Sequence, residues 1–398
     1  MAVTKWLSPL LLSLFTALAY GAILPEERAD ALYHSYDGGG VTIDGPSVLV
    51  RKNVADKFSL YGNYYVDMVS SASIDVIATA SEYTEERTEY SLGVDYLNDR
   101  TIMSLSYTNS SESDYDANTV GFSISQEFFG DLSTLTMSYA QGDDTVKATG
   151  QDNFEESTQR KRYSIGFSQI LTKKLITSLS YETVIDEGFL RNPYRRARRV
   201  DHNNEIPGQD FIFISATENA GICDSSGSEI GGECYPETRN SEAVALRGIY
   251  AFSNRSSVRA EYRLFADSWG VESNNIELRY SHQLGSRWLF ELRLRQYVQN
   301  KGADFYQDNF DFSAATDEFY ARDKELSEYS SQQYGIGISY TFKSRYKFFN
   351  NSTFNVHWDH MVFDYDNFRD ATDGSTANAQ GNYSLEADVI RVFFSSFF

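Results

Sequence analysis

The 398-residue chain carries 35 lysine and arginine residues against 56 aspartate and glutamate residues, which gives a formal net charge of −21. Such a chain repels the phosphates of nucleic acids, so we expect no nucleic-acid partner. Aromatic residues make up 15% of the sequence, which excludes a disordered chain, because disordered chains are poor in aromatic residues. The mean hydropathy is negative, and the only long apolar run stands at the N-terminus, which excludes a bundle of membrane-spanning helices.

The chain begins with the features of an export signal. Lys5 precedes an apolar stretch over residues 6–18, and the small residues of segment 19–21 follow it. A positive charge, a short apolar core and a small-residue exit define a secretory signal peptide. We therefore predict a signal peptide over residues 1–21 and a mature chain over residues 22–398. The alternative is an N-terminal membrane anchor, for which the apolar run is short.

The chain contains two cysteines, Cys223 and Cys234, separated by ten residues rich in glycine, serine and glutamate. In an exported protein this spacing predicts a disulfide that closes a loop. A metal site would require further cysteine or histidine ligands near the pair. We therefore expect neither a metal nor another cofactor.

Most of the chain alternates apolar and polar residues in stretches of about ten, so that Phe58 and Leu60, for example, flank Ser59. A strand of an outer-membrane β-barrel has this period because one face meets lipid and the other meets the lumen. Fifteen such strands are clear, and segment 27–36 supplies a sixteenth, which starts on the periplasmic side. The predicted strands span residues 27–36, 41–52, 58–69, 87–98, 101–110, 118–128, 131–141, 160–171, 174–185, 242–253, 256–267, 272–284, 287–298, 331–343, 351–365 and 384–398.

Short turns and long polar loops alternate between these strands, as in outer-membrane barrels with tight periplasmic turns and long external loops. We thus predict an all-β fold, a transmembrane antiparallel barrel of 16 strands in the outer membrane of a Gram-negative bacterium. The mature chain is expected to form this single domain. The predicted external loops cover residues 70–86, 142–159, 186–241, 299–330 and 366–383, with shorter ones at 111–117 and 268–271.

The last strand alternates in polarity and ends at Phe398. This resembles the C-terminal signature by which the barrel-assembly machinery recognises outer-membrane proteins. We therefore expect that machinery as a partner, together with the lipids and lipopolysaccharide of the outer membrane.

Five short segments carry a family resemblance: residues 71–76, 125–131, 192–195, 267–270 and 303–306. They resemble an uncharacterised family of proteobacterial outer-membrane barrels, domain of unknown function family 3570. The resemblance covers nearly the whole mature chain, from about residue 30 to the end, and implies an outer-membrane barrel without an established activity. Most of the segments fall in loops or at loop roots, where they serve either loop packing or a ligand site.

If the apolar positions face lipid, the residues between them face the lumen. Opposed walls of different charge would then create a transverse field that sorts polar solutes, as in the constriction of a porin. The alternative is an arginine–glutamate ladder that only braces the barrel. Elsewhere the inward positions are mostly serine, threonine, aspartate and glutamate. The predicted basic wall consists of Arg247, Arg259, Arg263, Arg279, Arg293 and Arg295, with Glu261, Glu277 and Glu291 as acidic partners.

A second basic cluster stands in the predicted loop 186–241, which is long enough to cap or plug the pore. Three interpretations are open for it. The cluster folds inward as an anion-binding constriction, binds lipopolysaccharide phosphates at the rim, or neutralises acidic neighbouring loops. Its members are Arg191, Arg195, Arg196, Arg198 and Arg199.

The negative charge of the chain is concentrated in the predicted external loops. The six segments other than 268–271 hold 33 acidic and 11 basic residues, so the remaining chain is nearly neutral. An acidic mouth of this kind favours cations in the vestibule. Loop carboxylates such as Asp304 and Asp308 also suit calcium, but no EF-hand spacing appears.

These patterns favour a porin-like channel or transporter for small polar solutes. The first alternative is a closed barrel that serves as a surface scaffold or anchor for partner proteins. A barrel-embedded hydrolase is the second, less favoured alternative. No nucleophile motif such as G-x-S-x-G appears. His357 and His360 lie three residues apart, so on a strand they point to opposite faces. We therefore expect no enzyme activity.

Overall fold

The computed structural model of the chain describes residues 22–70, 84–151, 153–214, 232–311, 319–343, 351–374 and 376–398. The predicted signal peptide and Cys223 lie outside these residues.

Sixteen strands of the described chain close into one antiparallel barrel, and two short strands pair separately in a loop. The sixteen strands confirm the predicted number. Two short 3-10 helices lie at Lys324–Leu326 and Ala377–Ala379. The barrel strands are β1 (Arg28–Gly38), β2 (Val41–Val54), β3 (Phe58–Ser70), β4 (Thr84–Asn98), β5 (Thr101–Ser111), β6 (Tyr115–Phe128), β7 (Ser133–Lys147), β8 (Glu155–Thr172), β9 (Leu175–Gly188), β12 (Thr238–Ala251), β13 (Ser256–Asp267), β14 (Glu272–Leu284), β15 (Trp288–Lys301), β16 (Tyr329–Lys343), β17 (Asn351–Arg369) and β18 (Asn382–Phe397); the loop strands are β10 (Arg198–Val200) and β11 (Phe211–Phe213).

The barrel closes where the first strand pairs with the last. The register of this seam runs from Arg28 opposite Phe397 to Gly38 opposite Ala387. Every other neighbour in the ring is also antiparallel, and only the connection from β9 to β12 passes through the small loop sheet. Closure leaves no strand edge, which is the condition for a sheet to cross hydrocarbon.

Apolar side chains on the outside of the barrel show which surface meets lipid. Leu92, Leu105 and Leu246 are 58%, 52% and 58% exposed, respectively, and each has at least one polar neighbour that faces inward. A soluble protein does not leave such a band open to water, whereas a membrane barrel requires it. The protein is therefore a transmembrane barrel of the outer membrane. Among the described residues no helix is long and apolar enough to cross a membrane.

Aromatic side chains flank this apolar band at both ends. Near the short turns, the rings of Trp288 and Tyr340 lie 4.6 Å apart, centroid to centroid. Towards the long loops, Tyr139 and Tyr163 form a pair at 5.0 Å. Amphipathic rings of this kind mark the two membrane–water interfaces of an outer-membrane barrel.

The strands extend further towards the external side than predicted. β7 continues to Lys147 and β8 begins at Glu155, so the loop predicted over 142–159 shrinks to 148–154. Hydrophobic alternation ends where a strand leaves the membrane, but its hydrogen-bonded ladder continues into the solvent. The 19 residues of β17 exceed the roughly 10 that a tilted strand needs to cross the bilayer.

The lipid face can be tested with neighbouring substitutions on β5. Leu105→Arg places a charge near the bilayer midplane and should cost about 2–4 kcal/mol of unfolding free energy. Ser104→Arg, one position away, faces the lumen and should change stability by less than about 1 kcal/mol. Urea titrations of the two variants refolded into vesicles measure both effects. Equal losses in the two variants would contradict the assignment of faces.

Candidate functional site

The predicted basic wall of β12 and β13 is a set of cross-strand ion pairs. The register sets Arg247 opposite Glu261, and their side chains approach to 2.6 Å. Arg259 contacts the same carboxylate at 3.0 Å. Arg263 reaches across β12 to Glu182 on β9 at 3.1 Å. Each of these arginines thus has a carboxylate within contact distance, as in a bracing ladder.

A row of three arginines crosses the next strands without an intervening acid. Arg259 lies opposite Arg279, and Arg279 lies opposite Arg293. Glu277 contacts Arg279 at 3.3 Å from two positions along the same strand. Because the three arginines are neighbours, the row concentrates positive potential on the lumen side. Like charges directly opposite one another destabilise a sheet.

The two remaining members of the predicted wall make different contacts. Glu291 accepts a hydrogen bond from Ser281 Oγ at 3.1 Å. The guanidinium of Arg295 lies over the ring of Tyr297, 5.6 Å from its centroid. The contacts of these two residues are thus to a hydroxyl group and an aromatic ring.

The carboxylate that links this wall to β18 was not predicted from the sequence. Asp359 on β17 is buried, lies 3.6 Å from Arg293 and forms an ion pair with Arg391. Gly335 stands between Arg293 and Asp359 in the register. A Cβ at Gly335 would lie 2.2 Å from Asp359 Oδ1, so only glycine leaves room for a pair across the intervening strand. In the sequence, Gly335 stands at an inward position next to Ile336. A glycine inside a strand often marks the close approach of another group, so it could have indicated this contact.

The rest of the lumen wall is less uniform than predicted. Besides hydroxyl and acidic groups it carries arginines, which the sequence analysis left out, and these also have acidic partners. The two-wall field expected from the sequence is accordingly weakened. The pairs are Arg51 with Asp95, Arg87 with Asp67 at 3.8 Å and with Glu89 at 2.8 Å, Arg160 with Asp186 at 2.5 Å, and Arg162 with Glu182 at 3.8 Å.

Despite these pairs, several of the inward arginines remain accessible to solvent. The side chains of Arg160 and Arg162 on β8 are each 52% exposed, and those of Arg247 on β12 and Arg263 on β13 are 42% and 41% exposed. Side chains packed into a filled barrel would be largely buried. The lumen at these residues therefore contains space that water reaches.

Three long loops pack together at the external end of the barrel, and we call them the loop cap. Two apolar clusters hold the cap together, and its largest buried side chains include Phe310. The cap comprises residues 189–214, 232–237, 302–311, 319–328, 370–374 and 376–381. The first cluster joins Tyr235, Ala303, Ala321 and Leu326 to Trp269 and Val271 of the adjoining turn; the second joins Ala197, Ile214, Cys234, Phe310 and Tyr320.

Buried charges tie the three loops of the cap to one another. Arg198 is fully buried, forms an ion pair with Asp308 and donates to Gln380 Oε1 at 2.5 Å. Arg322 is 2% exposed, contacts the same carboxylate at 3.1 Å and donates to the backbone oxygen of Arg369 at 2.6 Å. Loss of one partner in such a buried set leaves an uncompensated charge, which is strongly destabilising.

The first loop of the cap runs between distant parts of the barrel rim. Tyr194 OH accepts a hydrogen bond from the backbone N–H of Thr149 in the β7–β8 hairpin at 2.8 Å, and it donates one to Asp114 in the β5–β6 hairpin. Four residues later, Arg198 contacts Gln380 of the β17–β18 loop. β18 and β1 to β5, six strands in all, separate these two rim positions on one side. The cap therefore crosses the mouth of the barrel.

The arginine cluster of the first loop makes its described contacts within the cap. This arrangement agrees with the interpretation that the cluster neutralises acidic loops, while anion binding and lipopolysaccharide binding remain predictions. Arg191 donates to the Glu233 backbone oxygen at 2.6 Å, Arg195 pairs with Asp323, Arg196 bridges to Gly232 through the backbone, Arg198 pairs with Asp308, and Arg199 lies 3.3 Å from Glu205.

Two further predictions concern the same loops. Cys234 is buried in the second cluster of the cap, but its predicted partner Cys223 lies outside the described residues, so the disulfide remains a prediction. Within the described segments, no group of three or more histidine, cysteine, aspartate or glutamate side chains could hold a metal ion.

The histidines of β17 lie on opposite faces, as predicted. The ring of His357 faces the lumen and stacks on Phe393 at 5.6 Å. His360 faces outward and lies 3.1 Å from Asp388. The two rings therefore cannot act on one ligand.

A buried carboxyl group makes the cap sensitive to pH. Glu233 accepts from the backbone N–H of Arg322 at 2.7 Å and from Tyr235 OH at 2.8 Å. Burial and, to a smaller extent, the negative charge of Asp323 raise the pKa of Glu233 to about 7, against the opposing effect of Arg195. Because the folded-state pKa exceeds the ordinary value of 4.5, stability is lost as pH rises between these values.

The cap should consequently open more readily at pH 8 than at pH 5. The ionisation of Glu233 should cost about 3 kcal/mol of local stability above pH 7, and Glu233→Gln should abolish this dependence. Hydrogen exchange of cap amides in detergent at both pH values measures it. Glu237→Gln, at an exposed position of the same loop, is the control and should behave like the unsubstituted protein. An undiminished pH dependence in Glu233→Gln would contradict the assignment.

The Asp359 network should set the charge preference of the lumen. Asp359→Asn leaves Arg293 and Arg391 without their shared carboxylate, so the ratio of anion to cation permeability should rise severalfold. The reversal potential of the protein in a planar bilayer under a salt gradient measures this ratio. Asp388→Asn removes the same charge from the outward face of β18 and should leave the reversal potential unchanged. An equal shift in both variants would contradict the lumenal role of Asp359.

Solved structures of bacterial outer-membrane proteins share the general architecture at low similarity. A FadL homologue of Pseudomonas aeruginosa is 9% identical, with a TM-score of 0.43, over 94% of this chain and 90% of that chain. The siderophore receptor PirA from Acinetobacter baumannii is 10% identical, with a TM-score of 0.41, over 94% and 60%. A bacterial polysaccharide outer membrane secretin is 8% identical, with a TM-score of 0.45, over 94% and 100%. These likenesses are too distant to bear on function.

No curated protein matches the sequence. A family model described as "Protein of unknown function (DUF3570)" matches residues 78–357, a shorter span than the resemblance suggested. This span begins before β4, ends within β17 and includes most of the loop cap. The chain therefore belongs to the DUF3570 family of proteins of unknown function.

Proposed function

We propose that this protein is a porin-like channel or transporter that admits small polar solutes through a lumen narrowed by the loop cap. The observation that carries the proposal is the solvent exposure of the charged side chains inside the barrel. Arg160 and Arg162 on β8, Arg247 on β12 and Arg263 on β13 are all more than 40% exposed. A polar solute that enters such a space exchanges hydrogen bonds with water for hydrogen bonds with the wall.

The charge distribution supports passage in two stages. The external loops are rich in carboxylates, so cations accumulate at the mouth. Further in, the arginine row of β13 to β15 repels cations and favours solutes that carry acceptor oxygens. Because most of the wall arginines have a carboxylate nearby, a passing anion is attracted without being held tightly. Conductance that shows neither ion selectivity nor salt dependence would contradict this filter.

A closed barrel that serves as a scaffold is the second candidate function. The observation that favours it is the path of the first cap loop across the mouth, from Tyr194 to Arg198. In that case the ordered external surface of the cap would bind partner proteins, and the lumen would conduct nothing. The two candidates differ in a single measurable property, the current through the barrel.

We also propose that the assembly machinery recognises the last strand. β18 forms one side of the closing seam, and the backbone N–H of Phe398 donates to the Glu27 oxygen at 3.3 Å. The C-terminal residue therefore lies beside the segment that leads into β1.

Conductance of the refolded protein in planar bilayers tests the proposed channel. The unsubstituted protein should pass small currents, and Arg198→Ala should raise them severalfold, because losing a buried partner destabilises the cap by about 3–5 kcal/mol. Arg199→Ala is the matched control, since Arg199 contacts the half-exposed Glu205 and such pairs contribute at most about 1 kcal/mol. The absence of current, both before and after the Arg198 substitution, would reject the channel and favour the scaffold.

A further inference from the structure

A cavity of about 570 Å³ lies between the loop cap and the inner wall formed by β1, β2 and β16 to β18. Its volume falls in the range of small-molecule sites. The wall side is aromatic, and the cap side combines charged groups with the rings of Tyr235 and Trp269. The lining includes Tyr36, Tyr329, Phe363 and Tyr383 from the wall, with Arg195 and Glu325 from the cap.

The aromatic side belongs to a continuous belt of lumen-facing tyrosines. Tyr297 and Tyr329 lie 5.3 Å apart, Tyr329 and Tyr365 lie 5.2 Å apart, and Tyr365 and Tyr383 lie 5.6 Å apart, measured between ring centroids. The belt thus spans the four adjacent strands β15 to β18. Lumen-facing positions of outer-membrane barrels are ordinarily polar, so four neighbouring rings at these positions require a specific explanation.

The rings do not form a closed apolar core. Tyr365 is buried, but Tyr36, Tyr329 and Tyr383 are only partly buried and contribute surface to the cavity. Packing alone would bury all of them. Their partly exposed surface is therefore available to a molecule in the cavity.

The cap side supplies polar groups of both charges. Arg195 and Lys324 line the cavity together with Asp323 and Glu325, and Arg239 of β12, which also lines it, pairs with Asp267 at 2.5 Å. Arg195 pairs with Asp323 and approaches Glu325 to 3.9 Å. Since the positive and negative groups nearly balance, the cavity has no strong preference for an ionic ligand. It offers hydrogen-bond donors and acceptors around an aromatic platform.

We propose that this cavity is a binding site for a neutral sugar. The C–H face of a sugar ring packs on an aromatic ring, while its equatorial hydroxyl groups both donate and accept hydrogen bonds. Aromatic groups on one side and balanced charges on the other match these two features. A neutral sugar would thus be the substrate class of the proposed channel. The route of the sugar to the cavity rests on that proposed function, whereas the binding site itself does not.

Calorimetric titration of the full mature protein in detergent with maltose and sucrose tests the site. Saturable binding is expected, and Tyr329→Leu should weaken it about tenfold, because leucine keeps the apolar bulk but removes the aromatic face. Tyr334→Leu is the matched control on the same strand: Tyr334 faces lipid, so affinity should stay unchanged. Glu325→Gln, at an exposed cap position, should also weaken binding. This second variant does not depend on the packing of the belt.

Three results would overturn the assignment: no saturable binding of either sugar to the folded protein, equal affinities in the unsubstituted protein and in both the Tyr329 and Glu325 variants, or saturable binding of free tryptophan with none of the sugars. The conductance experiment is separate. A barrel that binds sugar without passing current would keep this site and reject the channel. A conducting barrel without sugar binding would keep the channel and reject the site.

Discussion

The hydrogen-bonded ladder that closes between β1 and β18 is the constraint on which the rest of this structure depends. Hydrocarbon offers no partner for a backbone N–H or C=O group, so every strand within the membrane must be paired on both sides. The seam from Arg28 opposite Phe397 to Gly38 opposite Ala387 completes that pairing. With the ladder closed, alternate side chains must face lipid and lumen, and the sequence satisfies this with leucine outside and charged or hydroxyl groups inside.

The loop cap depends on the ladder in turn. Arg198 and Arg322 are buried charges, and they are tolerated because Asp308 accepts from both. Their partners belong to loops rooted on different strands, so the closed ring positions them. Glu233 adds a group whose charge is opposed by burial, which couples the packing of the cap to the pH of the exterior. A rigid wall and a conditionally stable cover are the combination that gating of a channel requires.

The sequence was sufficient to predict the barrel and its sixteen strands, because both rest on the local period of two. The sequence was insufficient to predict where the strands end on the external side. Lys147 and Glu155 continue the hydrogen-bonded ladder at a point where neither face of the strand meets lipid. The sequence also missed the pair of Arg293 with Asp359, which depends on the small size of Gly335 on the strand between them. The role of Arg198 was not predictable either, because its partners Asp308 and Gln380 stand more than one hundred residues away in the chain.

The wide separation of those partners has a consequence for the order of assembly. Apart from Phe211 of its own loop, the side chains that enclose Arg198 come from the β15–β16 and β17–β18 loops, and the second of these immediately precedes the final strand. Arg198 therefore stays hydrated until almost the entire polypeptide has reached the membrane. The cap is completed at about the stage at which the ring closes, so an ordered external surface reports a fully assembled barrel.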